Sequence, residues 1–296
     1  MKKKIVFIVN PISGRHNKSR FPQIVDNQIN KDLFDYSIIF TEYGGHATKL
    51  AKKAIEDDVD IVAAVGGDGT INEIASPLIG TRQALAIIPF GSGNGLARHL
   101  HLSLKPERVI NDVINNGVVS KIDTATVNGV PFISIAGIGF DALVANFFAN
   151  DPRRGLKTYL KFITEEYPRF KPNFYHVILD SGLEFDCKPL FVSFANSNQF
   201  GFNASVSPKA SLNDGMLDVC IFKKPNILEV GYVAERLITN NIDKTQFVDI
   251  YKAKSIKVIR EKEDFVNIDG EAVMMQKDIE IVNNHLSLNI LLPNTI

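Results

Sequence analysis

Three glycine-rich corners hold the residues whose types and spacing could do chemistry. Residues 62–74 read VAAVGGDGTINEI, so that a short apolar run passes straight into Gly66, Gly67, Asp68, Gly69 and Thr70. NPISG at residues 10–14 and PFGSGNGLAR at 89–98 are of the same kind. Glycine allows a positive φ and close approach of the backbone to a ligand, and the N–H groups at a helix start offer partial positive charge to an anion. The chemistry such corners suit is the holding of phosphate. A late stretch, Ile268-Asp269-Gly270-Glu271, adds two acids at a turn. A carboxylate placed there could take a proton from a hydroxyl, or be one solvated acid of a surface turn. There is no GxGxxG at the first corner and no GxxxxGK[ST] anywhere, which disfavours a standard dinucleotide fold and a Walker-type NTPase.

The elements that must position these corners follow from hydrophobic period. Residues 4–10, 36–41, 61–65 and 84–89 read as strands, and 21–30, 46–57, 71–78 and 95–101 as helices. This βαβα alternation predicts an α/β domain over residues 1–122, with a parallel sheet flanked by helices. In such sheets ligands bind beyond the carboxyl ends of the strands, where all three corners fall. From residue 123 the rhythm changes to short β-branched or alternating runs, at 123–127, 131–138, 174–179, 184–195, 216–222, 255–260, 265–268 and 286–291, with helices expected over 141–166 and 227–239. We expect a β-rich, sandwich-like domain over 123–296, its last strand free to return to the first domain.

Composition narrows the function classes. The chain has 296 residues, 45% of them hydrophobic, enough for a sizeable core. Lys plus Arg and Asp plus Glu balance at 33 each, so no global field steers the chain to nucleic acid. No run approaches the roughly 18 apolar residues of a membrane span. Cys187 and Cys220 stand without CxxC spacing and read as two buried thiols in a reducing cytosol, and His99 and His101 lack the i, i+4 ligand spacing. For Arg98 two readings stand, a phosphate contact or a surface pair. The cluster Arg153, Arg154, Lys157 and Lys161, interleaved with Leu156, Tyr159, Leu160, Phe162 and Ile163, reads either as a solvated face or as a basic amphipathic helix on an anionic bilayer. Phe200 and Phe202 are the candidates for a lipid-facing pair.

Together the motifs resemble a known family. NPxSG, GGDGT and GSGN resemble the catalytic domain shared by diacylglycerol kinases, sphingosine and ceramide kinases and the bacterial lipid kinases related to them. Residues 137–141 (GIGFD) resemble that family's GxGFDA element, 212–218 (LNDGMLD) its LxDGxLD element and 269–271 its DGE, so the resemblance spans nearly the whole chain. It implies ATP-dependent phosphoryl transfer to a lipid hydroxyl, of a diacylglycerol-like or sphingoid substrate, in a cleft between two domains. Carried over by position, Asn10, Pro11, Ile12, Ser13, Gly14, Thr41, Gly67, Asp68, Gly69, Thr70, Ile71, Asn72, Glu73 and Ser92 would contact the nucleotide. Asp68 would act through the metal and phosphates, and Glu271 would be the general base. A further Mg2+ would sit at Ser211, Asp214 and Met216, of which Asp214 alone brings a charge.

The same resemblance implies a cytoplasmic protein at the inner face of the membrane, in peripheral contact with anionic lipid, and the many strands of the second domain could pair edge to edge in a homodimer. One departure stands out: the third corner reads GSGNG, where many bacterial diacylglycerol kinases read GTxND. Two other readings remain. One is an NAD-kinase-like enzyme, since GGDGT also resembles that family. The other is a non-catalytic nucleotide or lipid sensor, which loss of Asp68 or Glu271 would have signalled.

Overall fold

The computed structural model describes residues 2–14, 18–151 and 156–294. The chain divides into two compact units, Met1–Ile122 with Leu286–Ile296, and Asp123–His285.

In the first unit the chain runs β1 (Lys3–Val9), α1 (Phe21–Gln28), β2 (Phe34–Phe40), α2 (His46–Glu56), β3 (Ile61–Gly66), α3 (Asp68–Leu78), β4 (Ala84–Pro89), α4 (Gly95–His99) and α5 (Pro106–Val109), which continues as a π-turn over Ile110–Asn115. The strands lie in the order β2-β1-β3-β4, every pair parallel. All six residues of β3 and all six of β4 are buried, as expected where helices cover both faces of a parallel sheet. Helix α2 turns Ala47, Ala51 and Ala54 inward, an i, i+4, i+7 stripe.

The second unit begins inside β5 (Val118–Val127) and continues through β6 (Val130–Phe132), β7 (Ile135–Gly139), α6 (Phe140–Asn150), α7 (Leu156–Glu166), β8 (Tyr175–Leu179), β9 (Glu184–Cys187), β10 (Phe191–Ala195), β11 (Leu217–Phe222), α8 (Val230–Ile238), β12 (Val248–Ala253), β13 (Ser255–Arg260), β14 (Asp264–Ile268), β15 (Glu271–Met275) and β16 (Asp278–Leu292). One antiparallel sheet has the order β12-β11-β10-β7-β14-β15. The other holds β9, β8, β13 and the start of β16, again antiparallel. Ile138, Val192, Phe194 and Val266 of the first sheet pack with Val177, Ile256, Val258 and Ile281 of the second in one buried cluster, the core of a sandwich. The end of β16 belongs to the first unit, where Ile290 pairs in parallel with Leu85.

Several expected runs divide, each for a local reason. Residues 184–195 give β9 and β10 in different sheets, because Pro189 has no N–H for a ladder. Residues 131–138 break at Ile133 and Ser134, whose N–H groups go to the Asp269 carboxylate at 2.7 and 2.9 Å instead of to a neighbouring strand. The single helix expected over 141–166 is two, α6 and α7. Strands β12 and β15 were not expected, and Glu271 is the first residue of β15 rather than part of a turn. Cys187 is half-buried, not buried like Cys220. Burial raises both thiols, that of Cys187 to about 11, so neither is a poised nucleophile.

Candidate active site

In the first unit the three glycine corners meet at the carboxyl ends of β1, β3 and β4. The Asn10 N–H donates to the Val65 carbonyl at 3.0 Å, and the Phe90 N–H to that of Gly66 at 2.7 Å. Glycine is required where these corners touch. Gly14 has φ +66°, and a Cβ on it would lie 1.9 Å from the Phe90 carbonyl oxygen. Gly67 and Gly91 meet backbone to backbone, since a Cβ on Gly91 would stand 2.5 Å from the Gly67 Cα. Any side chain at these positions would wedge the corners apart.

Each corner is then braced by its own polar residues. The Asn10 carboxamide accepts from the Ile12 N–H at 3.1 Å and donates to the Thr70 hydroxyl at 2.9 Å, linking the first corner to α3. Ser13 Oγ donates to the Asn10 carbonyl. Thr41 continues β2 through its N–H to the Val9 carbonyl, 2.8 Å. Asn94 takes the left-handed φ of +51° and donates to the Gly91 carbonyl at 2.9 Å. Arg98 Nε donates to the Gly93 carbonyl at 2.9 Å, so this side chain braces the third corner. Ser92 is exposed at its tip.

The first turn of α3 presents the N–H groups that a helix start cannot satisfy internally. They belong to Asp68, Gly69 and Thr70, and the first i→i−4 bond runs from Ile71 to Gly67 at 3.0 Å. Ile71 is buried under the turn, while Asn72 and Glu73 are half-exposed, the Glu73 carbonyl accepting from the Thr48 hydroxyl at 3.0 Å. Lys18 adds a nearby cation. Its side chain is 2% exposed, its ammonium donates to the Ser13 carbonyl and lies 5.4 Å from the Phe90 ring centre, and burial holds its pKa below the usual lysine value. Sequence reasoning passed over Lys18, whose only signal was its closeness to the first corner.

The second unit carries Glu271 and the 211–216 loop. Asp269 and Gly270 form a two-residue hairpin turn with φ +49° and +95°, closing the pair Ile268 and Glu271. Both angles suit a type I′ turn, for which Asp-Gly is a preferred sequence. The Asp269 carboxylate accepts the N–H groups of Ile133, Ser134 and Ile135 at 2.7, 2.9 and 2.9 Å. Asp269 is therefore an anchor, while Glu271, the first residue of β15, is exposed.

The 211–216 loop tests the expected second metal. Asp214 Oδ2 lies 2.6 Å from Lys252 Nζ, Asp214 Oδ1 accepts from the Met216 N–H at 3.1 Å, and the Ser211 hydroxyl donates to Asn213 at 2.8 Å. Buried Asp218 lies 3.5 Å from the same ammonium. Burial alone would lower the Lys252 pKa, but the Asp214 hydrogen bond and the two carboxylate charges outweigh it and raise it. No group of three metal-ligating acids, histidines or cysteines occurs among the described residues. So arranged, the Asp214 carboxylate is engaged by Lys252, and Ser211 and Met216 could bring only a hydroxyl and a backbone carbonyl to a cation. The Asp68 corner fits better the ordinary mode of Mg2+, which rests on one or two carboxylates together with substrate phosphates.

Comparisons with known proteins match both units of the chain. Residues 4–127 match the diacylglycerol kinase catalytic domain, and residues 134–288 match the YegS C-terminal NAD kinase beta sandwich-like domain. A diacylglycerol kinase of Bacillus subtilis is 32% identical over 98% of this chain and 97% of its own length. One from Staphylococcus saprophyticus is 30% identical over 92% and 90%. Among solved structures, a diacylglycerol kinase from Bacillus anthracis superposes with a TM-score of 0.73 at 22% identity, covering 99% of this chain and 97% of its own. A second chain from that organism gives 0.78 at 24%, covering 99% and 98%. A glycine-cornered α/β unit joined to an antiparallel sandwich defines a kinase architecture. The chain belongs to the diacylglycerol kinase family of lipid kinases.

Proposed function

We propose that this protein transfers the γ-phosphate of ATP to the hydroxyl of a diacylglycerol-type lipid, with Mg2+ bound together with the nucleotide. The observation that carries the reading is the junction of the three corners at Gly14, Gly67 and Gly91, a side-chain-free backbone cradle at the start of α3. Asn10 to Gly14, Thr41, Gly67 to Glu73 and Ser92 bind the nucleotide on this reading, and Asp68 holds the metal–phosphate group, where Mg2+ would neutralise charge on the phosphates. Glu271 takes the proton of the lipid hydroxyl as its oxygen bonds to the γ-phosphorus, and ADP leaves. The names of the relatives support a diacylglycerol over a sphingoid base or NAD.

A lipid kinase must meet its substrate at a bilayer, and no helix among the described residues is long and apolar enough to cross one. Peripheral contact is supported by exposed Lys157, Leu160 and Lys161 on α7, and by Ile227 and Leu228 before α8, which are 71% and 91% exposed. Arg153 and Arg154 lie outside the described residues. The deciding experiment incubates the purified protein with labelled ATP, Mg2+ and either a total lipid extract or NAD. Label in phosphatidic acid is expected; label in NAD alone overturns the reading.

A further inference from the structure

Asp141 is a carboxylate 5% exposed, and its Oδ1 has no hydrogen-bond partner among the described residues. Burial pushes its pKa up to about 6. Such a group is costly to fold around, and its one hydrogen bond shows what it contributes.

Asp141 Oδ2 accepts from Asn267 Nδ2 at 2.9 Å, and Asn267 Oδ1 accepts from the Gly270 N–H at 2.8 Å. The donor logic runs in one direction. A backbone N–H can only donate, so Asn267 must turn its oxygen to Gly270 and its NH2 to residue 141. That flip aims the amide NH2 at residue 141, where Asp141 Oδ2 supplies the acceptor it needs. Gly137 makes room for it, since a Cβ there would lie 2.1 Å from Asp141 Oδ2. Gly270 is followed by Glu271, and the other half of the turn is already clamped through Asp269.

We propose that Asp141 is a positioning residue for Glu271, acting through Asn267 on the Gly270 N–H to hold the turn from which the base projects. The relay Asp141–Asn267–Gly270 joins the GIGFD stretch at the β7–α6 junction to the β14–β15 hairpin that carries the DGE, its hydrogen-bonded pair Asp141 and Asn267 lying 126 residues apart. It rests on the reading of Glu271 as the base.

The test is a double-mutant cycle in the full-length protein, with kcat, nucleotide Kd and thermal midpoint measured for Asp141→Ala, Asn267→Ala, the double variant, Asp141→Asn and Glu271→Gln. Either alanine should lower kcat by roughly 10- to 100-fold and leave nucleotide Kd within about twofold, the double variant should be no worse than the poorer single one, and Asp141→Asn, which keeps an acceptor, should recover most of the loss. If Asp141→Ala does not fold, Asn267→Ala breaks the same relay from its other end and is read alone. If Glu271→Gln loses kcat while Asn267→Ala keeps it, or if the losses in kcat multiply in the double variant, the positioning role is wrong and Glu271 stands. If Glu271→Gln keeps wild-type kcat, both fall.

Discussion

Glu271 and Asp68 sit in different units and have different roles on the proposed reading, Glu271 as base and Asp68 at the metal–phosphate group, so their substitutions should separate. Glu271→Gln keeps shape and removes the base; kcat should drop on the order of 10²- to 10⁴-fold with nucleotide affinity nearly unchanged. Asn10→Ala is the converse, weakening nucleotide binding by removing the carboxamide that ties the first corner to Thr70. Asp68→Asn should abolish turnover and leave the thermal midpoint near wild type, since a half-exposed corner residue contributes little to the core. A Glu271→Gln variant that loses nucleotide as strongly as Asn10→Ala would remove Glu271 from the role of base. Asp141 adds a pH dependence. Its folded pKa, about 6, lies above the ordinary aspartate value of 3.8, so between those values the folded state binds more protons than the unfolded and stability falls as pH rises. The facing titratable group is the Tyr159 phenol, which burial and then Asp141 push upward and which stays neutral in this range. Asp141→Asn removes the group, so from pH 4 to pH 7 the variant should gain on wild type by up to about 3 kcal/mol in urea unfolding. A constant difference across that range would mean the carboxyl is not desolvated.

At the scale of elements, the β14–β15 hairpin and the glycine corners are built by opposite means. The hairpin is held by a side chain that collects backbone donors. Asp269→Ala would strand the N–H groups of Ile133, Ser134 and Ile135, each costing about 1–3 kcal/mol where water cannot replace the acceptor. We expect a loss of roughly 3 kcal/mol in denaturant unfolding, with Asp269→Asn in between because one oxygen remains. A loss below about 0.5 kcal/mol would show that the anchor is dispensable. The corners are held by the absence of side chains. At Gly14 an alanine would suffer both the positive φ and the contact with the Phe90 carbonyl, so Gly14→Ala should destabilise by more than about 1 kcal/mol and weaken nucleotide binding. Gly69, where a Cβ meets nothing within 4 Å, is the control, and Gly69→Ala should have the smaller effect on stability.

For the whole molecule, the proposed contact with an anionic bilayer would have to come from a local surface, because the chain has no net charge. On that reading helix α7 supplies it. Its aromatic side packs on α6, with Phe162 stacked on Phe147 at 5.6 Å and Tyr159 against Phe148 at 5.9 Å, leaving Lys157, Leu160 and Lys161 outward. Each basic residue near an anionic surface is worth about 1 kcal/mol, so Lys157→Gln with Lys161→Gln should weaken binding to phosphatidylserine-containing vesicles about thirtyfold at low salt. Leu228→Asp should weaken it further by removing an apolar contact. Equal vesicle binding by all the variants would return α7 to a solvated face.

Most strands and helices of the first unit, though not α5 and its continuation over Ile110–Asn115, could be read from sequence because their periods are local: β3 and β4 are unbroken apolar runs, and the corners between them advertise themselves by glycine. The same holds for the family, since NPISG, GGDGT, GIGFD and DGE are contiguous words. What sequence could not supply was any pairing across long separation. Asp269 and Asp141 looked like acids of a turn and of a motif, and only the fold brings the first to the N–H groups at 133–135 and the second to Asn267. Asn267, a polar residue in the buried strand β14, was the one local sign that a partner was needed. Lys252 in the same way stands beside Asp214 only because β12 pairs with β11, an edge that sequence reading had not placed. Local period fixes elements through nearest neighbours along the chain, whereas the identity of a carboxylate's partner depends on which strands become neighbours in space, and that is decided by burial of the whole core.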